Sequence, residues 1–379
     1  MKKLFFLFAA LLLISCSDGD DSPTDNIPSN CNVVYLDVNG VTIKACPDAN
    51  IGDVGLIDGV EYTVVNRKML TDLIGYDYYK QTNEFEPIEA DLTKICTSKV
   101  TDMSYLFYGC GEEDFNQPIG HWDVSNVTDM SYMFGFECGL KNFNQDLSSW
   151  NVSKVIDMSG MFFDTRTFNN DISTWEVSNV TDMNRMFAGS SFNQDISQWN
   201  VRNVKSMSHM FSLARDFNQD LGVWVVSNVT DMEGMFNFAF SFNKNISGWD
   251  VKNVTKMRKM FLQATSFNQP LRLWNVENVT DMNSMFYSAN SFNQPLDWDV
   301  KNVTDMGGMF AYSESFNQYI GEWNVSNVID MRAMFYDAKS FNQDLADWNV
   351  SNVVQCRDFS YGALSWELSK PNFTNCDPN

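Results

Sequence analysis

Apolar side chains recur in this chain with two interleaved rhythms. Ten tryptophans, from Trp122 to Trp348, fall about 25 residues apart, a period that marks a stacked array. Around each runs a phrase such as Phe192-Asn193-Gln194-Asp195-Ile196-Ser197-Gln198-Trp199-Asn200-Val201-Arg202-Asn203-Val204, followed by a second such as Val279-Thr280-Asp281-Met282-Asn283-Ser284-Met285-Phe286. Met282, Met285, Phe286 and Ala289 lie at i, i+3, i+4 and i+7, which predicts one stripe of a short helix. Thr280-Asp281 would supply its N-cap oxygen and first-turn carboxylate. The alternation at Trp199, Asn200 and Val201 predicts a short strand with Trp and Val inward and Asn outward. Strand, turn and helix in each repeat predict a parallel α/β solenoid. One repeat buries about eight large apolar side chains, worth roughly 12 to 24 kcal/mol. Ordering its backbone costs on the order of 25 to 50 kcal/mol, so the copies must stack to fold. Leu92 to Phe107, with Ile95 in the Trp slot, and Val353 to Phe359 are degenerate copies suited to the ends.

The flanks follow other patterns. Lys2 and Lys3 precede an apolar run from Leu4 to Ile14, too short to span a bilayer, so residues 1–15 are expected to be a signal peptide. Residues 16–30 read as a flexible tether. Residues 31–90 are expected to form a small β-rich capping module, with hairpin turns at Asn39-Gly40 and Asp58-Gly59 and a helix over 66–80 leading into the array. The repeats then occupy 91–359 and a C-terminal cap 360–379.

The residues carry family resemblances. Leu13-Ile14-Ser15-Cys16 resembles a bacterial lipobox, which implies lipidation of Cys16, and the acidic stretch at Asp18, Asp20 and Asp21 resembles surface-export signals of Bacteroidetes lipoproteins. The phrase shared by Phe192 to Val201 and Trp175 to Phe187 closely resembles the tandem repeats of BspA-like bacterial surface lipoproteins, over about residues 92 to 359. That resemblance implies a leucine-rich-repeat-like right-handed solenoid with a parallel β-sheet on one face and short helices on the other. Ile196, Trp199 and Val201 fit the leucine-rich spacing, whereas Asn203 falls one place early. It also implies adhesion or interaction at the bacterial outer-membrane surface.

Composition narrows the chemistry. Of 379 residues, 44% are apolar, and 26 Lys and Arg face 48 Asp and Glu, a net charge of -22 that repels nucleic acid. Two histidines, His121 and His209, leave little room for His-based catalysis or metal binding. Nucleophile-elbow, phosphate-loop and zinc-protease motifs are missing, so no catalytic residue, metal or cofactor is expected. A carboxylate-based polysaccharide hydrolase and a structural surface-layer component are the alternatives to a binding protein. The Met pairs, such as Met257 with Met260, are expected to be core rather than Cu(I) ligands, since Phe follows on the same stripe. The recurring Asn-Val-Thr and Asn-Val-Ser are expected to form a ladder of buried amides.

Eight cysteines in a secreted chain invite pairing. Cys110 with Cys138 could staple neighbouring repeats, Cys356 with Cys376 could pin the C-terminal cap, and two of Cys31, Cys46 and Cys96 could tie the module to the array. Cys356 could instead be a buried thiol in the first Met slot. The outward row after each Trp, from Asp123 to Asn349, is expected to be solvated polar surface rather than a calcium site. Positions before each Trp and three after it change from copy to copy. There Arg202, Val223, Val225, Lys252, Leu273 and Lys301 add cationic and apolar groups in mid-array, the expected face for an extracellular protein or glycan. A monomer anchored to a membrane through its N-terminal lipid is expected.

Overall fold

A computed structural model describes residues 27–75, 88–108, 115–135 and 140–379. The N-terminal part is built from two short sheets. Strands β1 (Val34–Leu36) and β2 (Ile43–Ala45) pair antiparallel around Asn39-Gly40. There the Asn39 side-chain oxygen accepts from the Val41 and Thr42 N–H groups. Strands β3 (Val54–Ile57) and β4 (Val60–Val64) pair around Asp58-Gly59, whose positive φ values of 48° and 83° suit a tight hairpin. Helix α1 spans Arg67–Ile74, with the Asn66 side chain accepting from Met69 N–H and left-handed Gly75 ending it. The stretch 76–80 of the expected helix lies outside the described residues. A short 3-10 turn, Leu92–Lys94, leads to β5 (Ile95–Cys96), which joins β4 in parallel.

From there on the structure corrects the expected architecture. Regular helix and strand are confined to residues 34–96 among the described residues, and the repeats form neither the parallel β-sheet face nor the helices of a leucine-rich-repeat-like solenoid. Each repeat is a chain of tight turns. Met285 N–H bonds Met282 O at 3.1 Å, Tyr287 bonds Ser284 O and Ala289 bonds Phe286 O, while Ser284 and Ser288 take φ of 55° and 53°. A helix requires negative φ throughout, so these left-handed residues prevent it. The same left-handed position, two after the first Met or its equivalent, recurs in every copy from Tyr105 to Asp358. The stripe itself is inside: Met282, Met285, Phe286 and Ala289 are all buried. Four apolar residues at helical spacing therefore reflect two consecutive turns that return side chains to one side.

The predicted strand fails for a related reason. Trp199 N–H closes a turn on Ile196 O and Val204 N–H closes one on Val201 O, both near 3 Å. Side-chain oxygens start such turns early, as where Asp195 accepts from Ser197 N–H at 2.8 Å and Asn151 from Ser153 N–H at 3.1 Å. Trp199 and Val201 are nonetheless buried and Asn200 is exposed.

Neighbouring copies are bound to one another by the groups that the turns leave over. Met282, Ser284, Phe286 and Ser288 donate their N–H groups to carbonyls of Asp305, Gly307, Met309 and Ala311 in the following copy, at 2.7 to 3.0 Å. One parallel bridge per copy, from Asp102 to Gln355, completes the contact. Inside, Trp249 and Trp274 stack 6.4 Å apart, and Phe261 and Phe286 stack at 5.5 Å. Each array Trp from Trp122 to Trp348 also donates its indole N–H to a main-chain carbonyl in the preceding copy, as Trp249 does to Leu221 O at 2.9 Å. The result is one continuous apolar column that also takes in Leu70 and Ile74 of α1.

Both ends are closed. The first copy's carbonyls of Asp102 and Ser104 accept from the Arg67 guanidinium, at 3.3 and 2.6 Å. Arg67 thereby supplies the donors that a preceding copy would have offered. At the other end Trp366 packs edge-on against Phe341, and the Cys356–Cys376 disulfide holds the tail.

Candidate binding surfaces

The face around each Trp is a set of ladders. After Trp, the Asn or Asp oxygen accepts the N–H two residues on, in copies such as Asn275 to Glu277 at 3.1 Å and Asn324 to Ser326 at 3.2 Å. Three residues further, an Asn amide donates to a main-chain carbonyl of the preceding copy: Asn203 to Ser178 O, Asn228 to Arg202 O and Asn253 to Ser227 O, at 2.7 to 2.8 Å. These amides satisfy turn backbone as expected of a ladder, but they stand on the exposed surface rather than in the core. A third ladder runs through the Asn after Phe, where Asn268 N–H bonds Asn243 Oδ1 and Asn293 N–H bonds Asn268 Oδ1, both at 3.0 Å.

Against this constant framework the variable side chains project outward. Val223 and Leu273, each just before a Trp, are 68% and 84% exposed, and Val225 is 47% exposed. Gly248 occupies the same slot in the copy between Val223 and Leu273. Arg202, Lys252 and Lys301 are exposed in the slot three after Trp. The basic stripe is partly neutralised within its own copies. Lys252 pairs with Asp250 at 3.1 Å and Lys301 with Asp299 at 2.8 Å. The Asp299 partner raises the Lys301 pKa, and Lys301 in turn lowers that of Asp299. In the neighbouring slot Arg272 pairs with Asp297 at 2.5 Å. The array therefore carries apolar side chains in mid-face, flanked by charge pairs that are half exposed.

Asp182 and Asp281 lie in the bridge row, and burial, with neighbouring carboxylates, raises their pKa. Burial lowers the pKa of His121 and of His209, and His121 Nε2 is buried with no hydrogen-bond partner among the described residues. Among the described residues, no three His, Cys, Asp or Glu side chains gather as a metal site. Every array Met, including Met257 and Met260, is enclosed in the column.

The cysteines divide differently from one expectation. Cys31 pairs with Cys46, so that bridge closes a loop within the module instead of tying the module to the array, and Cys96 is a buried free thiol. The join is made instead by Arg67 and by backbone, through β4 with β5 and through Ile43 N–H to His121 O at 2.9 Å. Cys16, Cys110 and Cys138 lie outside the described residues.

Sequence reasoning missed one feature of this face. The slot four after Trp holds Asn in almost every copy, yet Lys99 and Lys154 fill it on either side of Asn126. Both line a cleft at the join of module and array. The signal was present as two exceptions to a column of asparagines.

A family model described as "Mycoplasma protein of unknown function, DUF285" matches residues 76–191, 135–246, 219–297 and 295–375, four overlapping stretches that cover most of the chain in tandem. No curated protein and no solved structure matches.

Proposed function

The chain belongs to the DUF285 family, and from that premise we propose that this tandem-repeat protein is a non-enzymatic cell-surface lipoprotein that binds an extracellular protein or glycan. The observation that carries the reading is the contrast on the Trp face. Hydrogen-bonded ladders fix its framework, while Val223, Val225 and Leu273 expose apolar surface that the fold does not use. Exposed apolar groups ringed by polar ones are the composition of a contact patch. The resemblance to BspA-like surface lipoproteins and the lipobox at Cys16 support placement at a bacterial surface, held by lipid to the outer membrane, and palmitate labelling lost in Cys16→Ala tests that anchor. The binding test is a screen of the full chain on arrays of matrix proteins and glycans. Charge reversal at Lys252 and Lys301, with Leu273→Ser, should weaken the ligand found by at least tenfold, about 1.4 kcal/mol, with little change in melting temperature. Intact affinity in that triple variant, with loss on changing the Met-bearing flank, would put the contact on the other side.

A further inference from the structure

We propose that the cleft where the module meets the first repeats binds the carboxylate of an acidic saccharide, independently of the mid-array face proposed above. The cleft encloses about 550 Å³. Its walls come from two sources: Tyr35 and Lys44 from the first hairpin, and Lys99, Asp123, Asn126 and Lys154 from the first copies. Three ammonium groups thus meet around one concavity in a chain of net charge -22.

Two of these lysines, Lys99 and Lys154, are hard to account for by folding. In the other copies the slot's Asn donates to the preceding copy, as Asn126 does to Ser98 O at 3.0 Å and Asn179 to Ser153 O at 2.7 Å. Lys154 gives up that amide, and its Nζ donates to Asn126 Oδ1 at 2.7 Å instead. Among the described residues the Lys99 ammonium makes only a long hydrogen bond, 3.4 Å, to Pro47 O. Both side chains are exposed. Lys44 is shared with Asp37 at 3.3 Å. The one carboxylate in the wall, Asp123, is buried and already accepts from the Ser98 hydroxyl and from the Ser125 N–H and hydroxyl. It therefore offers little to a cationic ligand, and the open charge is positive.

The remaining lining selects the ligand class. Amides and hydroxyls can each donate and accept, which suits the hydroxyls of a sugar ring, and the Tyr35 ring adds one aromatic wall. An acidic peptide would need apolar anchor pockets, and beyond that ring the wall offers only Ala45 among the described residues. A saccharide bearing a carboxylate meets both halves of the site.

The test is calorimetric titration of the full chain, held in detergent, with a galacturonic-acid trimer. The neutral galactose trimer and a triglutamate peptide are the comparisons. Saturable binding of the acidic trimer is expected, at least tenfold tighter than either comparison and weakened by salt. Lys154→Asn restores the ladder residue, so it should keep or raise the melting temperature while weakening the acidic trimer by about tenfold. Lys99→Gln should weaken it likewise, and Lys252→Glu should leave it unchanged, separating this cleft from the mid-array face. The proposal falls if the acidic trimer does not bind, if Lys154→Asn and Lys99→Gln bind it as well as the parent chain, or if triglutamate or the neutral trimer matches it.

Discussion

The module and the array solve the same problem, satisfying backbone groups around an apolar interior, in opposite ways. In the module each strand finds its partner within a few residues, through hairpins at Asn39-Gly40 and Asp58-Gly59. In the array some N–H groups close turns locally, and others reach a copy about 25 residues away. Local pairing yields elements that can be named; pairing between copies yields a continuous column with almost none. Secondary structure content therefore says little about order here, because turns and bonds between copies hold the repeats without a named element.

Four substitutions would break or sharpen this contrast. The largest effect is expected inside the array. Trp249→Ala removes a buried ring, its stack on Trp274 and the bond to Leu221 O, and should cost about 3 to 5 kcal/mol in urea unfolding. Asp250→Ala beside it removes an exposed pair with Lys252 and should cost about 0.5 kcal/mol. Equal costs would mean that the column is not what holds the copies together. At the junction, Arg67→Met keeps the helix but leaves the Asp102 and Ser104 carbonyls without their charged donor. A loss of about 1.5 to 3 kcal/mol is expected, with amide exchange accelerated in the first copy and unchanged around Phe261. Uniform acceleration would show that the cap serves the whole array and not its end.

The smallest effect concerns Asp182. Burial raises its pKa on folding, so the folded chain holds this proton more tightly than the unfolded chain. The ionised carboxylate thus opposes folding at neutral pH, and that penalty disappears as pH falls below the ordinary carboxylate range near 4. Asp182→Asn keeps an oxygen for the Asn184 N–H, so it should stabilise at pH 7 by up to about 0.5 kcal/mol and by nothing at pH 3. Chemical unfolding at both values checks the sign.

How much of this was legible in the sequence differs by level. Which residues face inward could be read throughout, because Trp249, Val251, Met257, Met260 and Phe261 recur at fixed spacing and all are buried. The shape that carries them inward could not. Met282, Met285, Phe286 and Ala289 fit a helix by spacing, and only the left-handed backbone of Ser284 and Ser288 excludes it. Nothing in a serine, a lysine or a tyrosine announces positive φ, and only three of the eleven copies use glycine there, at Gly160, Gly234 and Gly308. The neighbours above and below decide, by offering a carbonyl to each N–H that the turn swings outward. The candidate surface was half legible. The exposed Val223 and Leu273 stood out as breaks in a polar slot, whereas the partners of Lys252 and Lys301 needed coordinates.

The matching seams have a consequence for how such a chain changes over generations. Each boundary between copies offers the next the same carbonyls, the same indole donor and the same stacked rings. Loss or duplication of one whole unit brings together two surfaces that already fit, so unequal recombination in frame alters reach in fixed steps without a new interior having to evolve. Length is thus the cheapest trait for this gene to vary, while the two end pieces, each made once, are the hardest to replace.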